Sequence, residues 1–203
     1  MTDTLTRDDM KGFWADWLEA NRAAERVGDW GDLAELYLED ASYGWMFTPD
    51  EHFMAIGRDE IRKWALGTEM MGLEGWHYDY MATVIDEENA MIVGFWRQMS
   101  GIPDNNGQEY EIRGIGGSWF GLARDTDGKL RIEWQRDWFD LGAAAHAFIQ
   151  VAKSGKAPKP FLERIAIPMM EMPGRVHYGE LRSTLWPPPV AEGRYITQKP
   201  LGT

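Results

Sequence analysis

The sequence predicts an α+β domain in which a strongly curved antiparallel sheet wraps around N-terminal helices, forming a cone with an open mouth. Two observations carry this expectation. Helix-period segments come first, and β-rich runs joined by short turns follow, which is the order of an antiparallel meander. The third long run, EYEIRGIGGSWFGLA, holds Gly114, Gly116 and Gly117, and glycines inside a strand mark a bulge or sharp bend.

Each element follows in order. Thr6 and Asp9 stand at capping-box spacing, and Met10, Phe13, Trp14, Trp17 and Leu18 then recur on one face. An amphipathic helix over residues 7–27 is expected, stopped by Gly28 and bounding the interior pocket. DWGDLAELYLED reads as a second short helix with Leu33, Leu36 and Tyr37 turned inward. ASYGWMFT switches to strand, and GRDEIRKWALGTEM returns to helix with Ile61, Trp64 and Ala65 buried. The meander comprises GWHYDYMATVID, AMIVGFWRQMS, EYEIRGIGGSWFGLA and KLRIEWQRDWF, separated by the turn sequences DEEN, PDNNG and DTDG. LGAAAHAFIQVAKSG is a closing helix. Residues 1–152 thus form the domain, and residues 153–203 form a Pro-rich extension. Its Met, Leu and Trp content predicts order, with packing on the domain or on a neighbouring subunit.

Composition excludes several function classes. A chain of 203 residues can build one domain with a sizeable core. The net charge of -12 argues against a phosphate-binding surface, so no nucleic-acid partner is expected. There is no cysteine, which removes disulfides, thiolate nucleophiles and Cys-ligated metals. The histidines are scattered without H-x-H or H-E-x-x-H spacing, and GIGG lies inside a strand with no helix after it. Neither a metal nor an organic cofactor is therefore expected. MTDTLTRDDMKGF lacks a basic start and an apolar core, and no apolar run reaches bilayer length. A soluble cytoplasmic protein without a membrane partner is the expectation. The 11 Trp, 12 Met, 7 Tyr and 8 Phe exceed what an ordinary core requires. They form an aromatic core or subunit interface, or they wall a pocket for a flat aromatic ligand. Assembly as a homodimer or homotrimer is expected from the same apolar bulk.

The chemistry-bearing residues cluster on strands. Asp137 lies among Trp134, Trp138 and Phe139, and a carboxylate there can act as acid or base once burial raises its pKa. The alternative is an ion pair with Arg113 or Arg97. In a regular strand Asp137 shares a face with Gln135 and Glu133, and Arg136 shares the other with Trp134 and Trp138. A bulge near residue 136 would let both sets reach the pocket. His77 sits on a predicted core strand, whereas His52 and His177 fall in loop-like sequence and His146 on the closing helix. Tyr78 and Tyr80 point away from His77, and one of these two sets faces the pocket. Arg97 and Arg113 are candidate partners for a phenolate or carboxylate, and Tyr43 is a candidate donor or weak acid. Trp45, Trp119, Trp134 and Trp138, with Tyr78, Tyr80 and Arg113, are the candidate substrate-binding wall.

GDWGDLAELYLEDASY, GRDEIRKW, WHYDYMATVIDEENAMIVGFW and GKLRIEWQRDWFDLGA together resemble the nuclear-transport-factor-2-like (NTF2-like) superfamily, in its SnoaL-like branch, over roughly residues 8–150. The resemblance implies a cone-shaped barrel with an interior pocket, a fold that hosts isomerases, dehydratases, epoxide hydrolases, cyclases and binding proteins. RDWFD is similar to the close of limonene-type epoxide hydrolases, which implies that Asp137 lies at the pocket base and activates water. Their Tyr-x-Asn appears here as Tyr43-Gly44-Trp45, and their Arg-x-Asp pair as FWRQ. GWHYDYMATV is similar to the strand of scytalone-dehydratase-like members that carries the catalytic histidine, which implies His77, with Glu25 where their aspartate partner stands. In size, aromatic loading and C-terminal extension the chain also resembles lyases that remove water and formaldehyde from lignin-derived diarylpropane diols. What this implies is a cofactor-independent lyase or dehydratase of a bulky phenolic substrate in aromatic-compound catabolism. It would yield a stilbene by acid–base catalysis, using Asp137, His77, Arg97 and Tyr43. The alternatives are an epoxide hydrolase or isomerase of a terpenoid or steroid-like substrate, and a non-catalytic binding module.

Overall fold

A computed structural model describes residues 5–168, 171–177 and 185–188. Expectations for the rest of the C-terminal extension lie outside the described residues. Helix α1 (Arg7–Val27) starts at the Thr6 capping box, where the Asp9 amide donates to Thr6 Oγ1 at 3.2 Å and the Thr6 amide donates to the Asp9 carboxylate at 3.1 Å. It ends at Gly28, whose φ of 75° is the left-handed cap conformation. Met10, Trp14, Trp17, Asn21 and Ala24 form its buried stripe. Trp14 and Trp17 stack at 5.0 Å and press on Tyr80 and Phe120, fixing the helix to the inner face of the sheet.

The segment expected as a second helix is a 3₁₀ turn (Gly31–Leu36) that gives way to strand β1 (Tyr37–Thr48) four residues earlier than the expected start of the strand at Ala41. Tyr37 begins the strand because it pairs with Ile132 across the sheet. Strand β2 (Glu51–Ile56) then folds back on β1, with Trp45 opposite Phe53. This hairpin was not expected from sequence. His-Phe-Met-Ala is buried on both faces and shows no alternation. A short turn of helix α2 (Arg58–Glu60) runs on as a π-helix (Ile61–Thr68), seen in the Glu69 amide donating to the Trp64 carbonyl at 2.8 Å. Ile61 and Ala65 are buried as expected, and Trp64 is half-buried.

Strands β3 (His77–Asp86), β4 (Met91–Pro103), β5 (Glu109–Arg124) and β6 (Leu130–Trp138) form the predicted antiparallel meander. With the short edge strand β7 (Arg175–His177), the strand order is β3-β4-β5-β6-β1-β2-β7, and the β1–β6 pair is parallel. The expectation of a wholly antiparallel sheet is corrected here: the sheet is mixed. The β1–β2 hairpin precedes the meander in the chain but docks against its last strand, running in the same direction as β6. The architecture is otherwise the expected α+β cone, a curved, unclosed sheet around helices.

The bend sits where the glycines pointed. Trp96 pairs with Gly116 and Gln98 with Ile112, so Arg113, Gly114 and Ile115 bulge out opposite Arg97. Gly114 takes φ 111°, a conformation side chains resist. The neighbouring glycines serve another purpose. A Cβ on Gly116 would lie 2.2 Å from the Trp96 ring, and one on Gly117 would lie 2.1 Å from Trp138. These strands are bare where an indole lies flat across them.

Helix α3 (Leu141–Lys153) starts from Asp140, whose carboxylate accepts from the Ala143 amide at 2.7 Å. Helix α4 (Lys159–Ala166) packs through fully buried Phe161, stacked on Trp76 and set edge-on to Phe148. Strand β7 (Arg175–His177) adds to the sheet edge beside β2. His52 and His177, expected in loops, therefore lie on β2 and β7. No helix among the described residues is long and apolar enough to cross a membrane.

Candidate active site

Strand β6 is regular from Trp134 to Trp138 against β5, so side chains alternate strictly there. The bulge falls earlier: Leu122 pairs with Ile132 and Gly121 with Trp134, leaving Glu133 extra. As a result Ile132, Gln135 and Asp137 face inward, and Trp134, Arg136 and Trp138 face outward. Asp137 is thus in register with Trp45 on the parallel neighbour β1 and with Ser118 on the antiparallel neighbour β5, and Tyr43, two residues before Trp45, shares its face.

The Asp137 carboxylate is held by donors on both oxygens. Tyr43 donates to Oδ2 at 2.5 Å, and Gln135 Nε2 donates to Oδ1 at 2.8 Å. Ser118 adds a further hydrogen bond. Behind this first set, the Tyr37 hydroxyl donates to Gln135 Oε1, and Trp96 Nε1 donates to Ser118 Oγ at 3.0 Å. Tyr80 reaches the same serine at 3.3 Å. Burial pushes the Asp137 carboxyl above the ordinary carboxylate range, while Gln135, Tyr43, Ser118 and the Arg136 charge pull it back. Burial, reinforced by the Asp137 charge, raises the hydroxyls of Tyr37, Tyr43, Tyr78 and Tyr80, so these phenols remain donors.

A hollow of about 300 Å³ opens in front of this carboxylate. Tyr43, Trp45, Tyr78, Trp96, Phe139 and Phe148 supply its aromatic walls, and Gln98, Glu69 and Arg164 its other polar groups. A chamber of about 60 Å³ adjoins it, sharing Tyr43, Tyr78, Trp96 and Asp137 and lined further by Trp17, Trp30, Tyr80, Ser118 and Gln135. Trp45 is fixed by stacking on Phe53 at 3.8 Å, and the Tyr78 hydroxyl accepts from Gln98 Nε2 at 2.9 Å. The π-helix places Ala65 and Leu66 on the wall and leads into Glu69 and Met70.

The structure brings together Asp137, Tyr43, Trp45, Tyr78 and Tyr80, and separates the other sequence candidates from them. His77 is on the opposite face of β3, bonded at 3.0 Å to both Asp79 and Glu109. Glu25 accepts from Asn21 and from the Tyr78 amide, each at 2.8 Å. Arg97 is on the outer face too, gripping Glu111 through Nε at 2.7 Å and Nη2 at 2.8 Å. Arg113 is exposed on the β5 bulge. Neither arginine reaches the hollow or pairs with Asp137. Trp134 is packed edge-on against Trp119, and Trp138 against Phe95, so these three tryptophans do not wall the site. Arg136 turns outward to Ser42 and to the Leu185 carbonyl, and burial lowers its pKa to about 10. Among the described residues no cluster of three His, Asp or Glu side chains could hold a metal ion.

Gln135, Ser118, Gln98, Glu69 and Arg164 were missed at the level of sequence. Only Gln135 carried a signal, two residues from Asp137 on the same strand face.

For His77, burial favours the neutral ring, but the Glu109 and Asp79 hydrogen bonds outweigh it and the pKa is raised above 6.5. A raised pKa contributes stability that is fully present below the unfolded value and is lost as pH rises through the folded one. His77→Asn is therefore expected to flatten the decline in melting temperature between mildly acid and neutral pH, with turnover unchanged. A large loss of turnover at constant fold would return His77 to the site.

No protein-family model matches the sequence, and no curated protein matches it. Among solved structures, the chain is similar to an NTF2-like protein from Anabaena variabilis at 15% identity and a TM-score of 0.48, covering 68% of this chain and 93% of that one. The similarity is to NTF2-like structures. ActVI-ORFA from Streptomyces coelicolor matches at 12% identity and TM-score 0.48, over 66% of this chain and 96% of that one. A putative polyketide cyclase from Xanthomonas campestris matches at 20% identity and TM-score 0.45, over 70% and 97%.

Proposed function

We propose that this protein is a cofactor-independent lyase or dehydratase that acts by proton transfer on a bulky phenolic substrate, such as a lignin-derived diarylpropane diol. The observation that supports it is a buried carboxylate, Asp137, held by a phenol, an amide and a hydroxyl at the base of an aromatic-walled hollow. The donor hydrogens of Tyr43, Gln135 and Ser118 orient Asp137 and favour its charged form, and burial raises its pKa and so strengthens it as a base.

On this reading the aromatic rings of the substrate lie against Trp45, Tyr78, Trp96 and Phe148. In the first step the phenolic proton and the benzylic hydroxyl leave together as water, giving a quinone methide. Tyr43, hydrogen-bonded to Asp137, relays the proton to the departing oxygen. The cation expected beside the phenolate was Arg97 or Arg113, and both point outward. Tyr78 takes that place, because among the described residues its hydroxyl hydrogen has the Met70 sulfur at 3.9 Å as its acceptor. In the second step Asp137 removes the terminal hydroxyl proton and the carbon–carbon bond breaks. Formaldehyde leaves, the bonding pair completes the stilbene double bond, and the proton returns to the phenolate oxygen.

The test is to incubate the purified protein, after exhaustive chelation, with phenolic diarylpropane diols. Formaldehyde and near-ultraviolet stilbene absorbance should rise in equal amounts. Hydrolysis of an epoxide panel with no stilbene from any diol would replace this reading with a hydrolase.

A further inference from the structure

Arg164, on α4, comes from the segment beyond the predicted domain, and its side chain is 12% exposed. A guanidinium carries five donors and in such a setting usually has close carboxylate partners. Arg164 has two long contacts: Nη2 lies 3.5 Å from Glu69 Oε2, and Nη1 donates to the Thr68 carbonyl at 3.4 Å. The other Glu69 oxygen is taken by Arg175 at 2.8 Å, within the normal range for a charge-assisted bond. Glu69 therefore holds Arg175 closely and Arg164 only loosely. The loosely held guanidinium of Arg164 lies at the wall of the hollow, among Phe47, Leu73, Leu141 and Phe148.

Two further observations separate this from an ordinary helix-end arginine. The Arg164 charge acts on the Tyr78 hydroxyl inside the hollow, opposing the effect of Asp137 on the same group. The protein as a whole carries a net charge of -12, so its general field repels anions, and an anion would have to be held by a local cation. We infer that the natural substrate bears a carboxylate, which Arg164 binds through its planar fork at the wall of the hollow. This rests on the hollow being the substrate site. It narrows the substrate class to aryl or arylalkyl carboxylic acids with a phenolic ring at the Asp137 end, which makes Arg164 a specificity-determining residue.

The experiment is equilibrium binding by quenching of tryptophan fluorescence, with 4-hydroxystilbene-4′-carboxylate and its neutral carboxamide as probes. Wild type is expected to bind the acid about tenfold or more tightly than the amide. Arg164→Gln should abolish that preference with amide affinity unchanged, and Asp137→Asn should keep it. Arg164→Lys, which retains charge and loses the fork, should keep only part of it, and it covers the case in which the glutamine variant fails to fold. Equal affinity for acid and amide in wild type, or a preference that survives in Arg164→Gln, overturns the inference and leaves the catalytic reading intact. Absence of binding by both probes overturns the inference together with the reading of the hollow.

Discussion

Asp137→Asn is expected to lower turnover by about a hundredfold or more, the scale for losing a positioned acid or base. The amide keeps the shape of the carboxylate and removes its charge and its capacity to accept a proton. Binding of the stilbene probes should change little, because the walls are untouched. The pH dependence carries an independent sign. A base must be ionised, so wild-type turnover should fall as pH drops through the raised Asp137 pKa. Stability runs the other way. A carboxyl whose folded pKa is raised binds its proton more tightly in the native state, so stability present at low pH is lost as pH rises through that pKa. The asparagine variant lacks this loss, and the gap between its melting temperature and that of wild type should shift in its favour from acid to neutral pH. Near-normal turnover at neutral pH would reduce Asp137 to a structural residue.

Gly116→Val is expected to cost about 2–3 kcal/mol, the upper part of the range for overpacking, which corresponds to a fall of roughly 5–10 °C in melting temperature. The first added carbon would stand 2.2 Å from the Trp96 ring, so the indole would have to shift into the hollow it lines and give up its packing on the strand. The damage should also reach catalysis. Trp96 lines the hollow and anchors Ser118, which in turn bonds Asp137. Gly12→Ala is the matched control: nothing lies within 4 Å of its added carbon, and a helix interior favours alanine. Differential scanning calorimetry of both variants decides the point. Equal melting temperatures would mean that Trp96 swings aside at no cost.

Much of the fold could be read from sequence because its cues are local. Capping at Thr6, the apolar stripe of α1, the turn sequences of the meander and the glycine bend all act over a few residues. Strand alternation likewise put Asp137 with Gln135 and opposite Trp134 and Trp138. What alternation cannot supply is which face the helices cover, and that choice placed Tyr78 and Tyr80 inside and His77 outside. The tryptophans misled for a related reason. Large rings were expected around the pocket, yet Trp134 and Trp138 lie over Gly121 and Gly117 on the outer face, where the missing side chains leave them a seat. Arg164 carried no signal at all, since its meaning depends on how a helix after Pro158 folds back against Glu69.

The parallel pairing of β1 with β6 has a consequence for the order in which the molecule assembles. The meander can zip up between chain neighbours, but the Tyr43–Asp137 contact joins residues 94 positions apart. Such contacts bring no gain until a long loop has been closed, so they are slow to form. A chain with a complete meander and an undocked β1–β2 hairpin would have the Asp137 carboxylate in place but without the Tyr43 phenol that donates to it. The full hydrogen-bond set of the buried carboxylate is then a late product of folding, complete only when β1 comes to rest against the last strand of the meander.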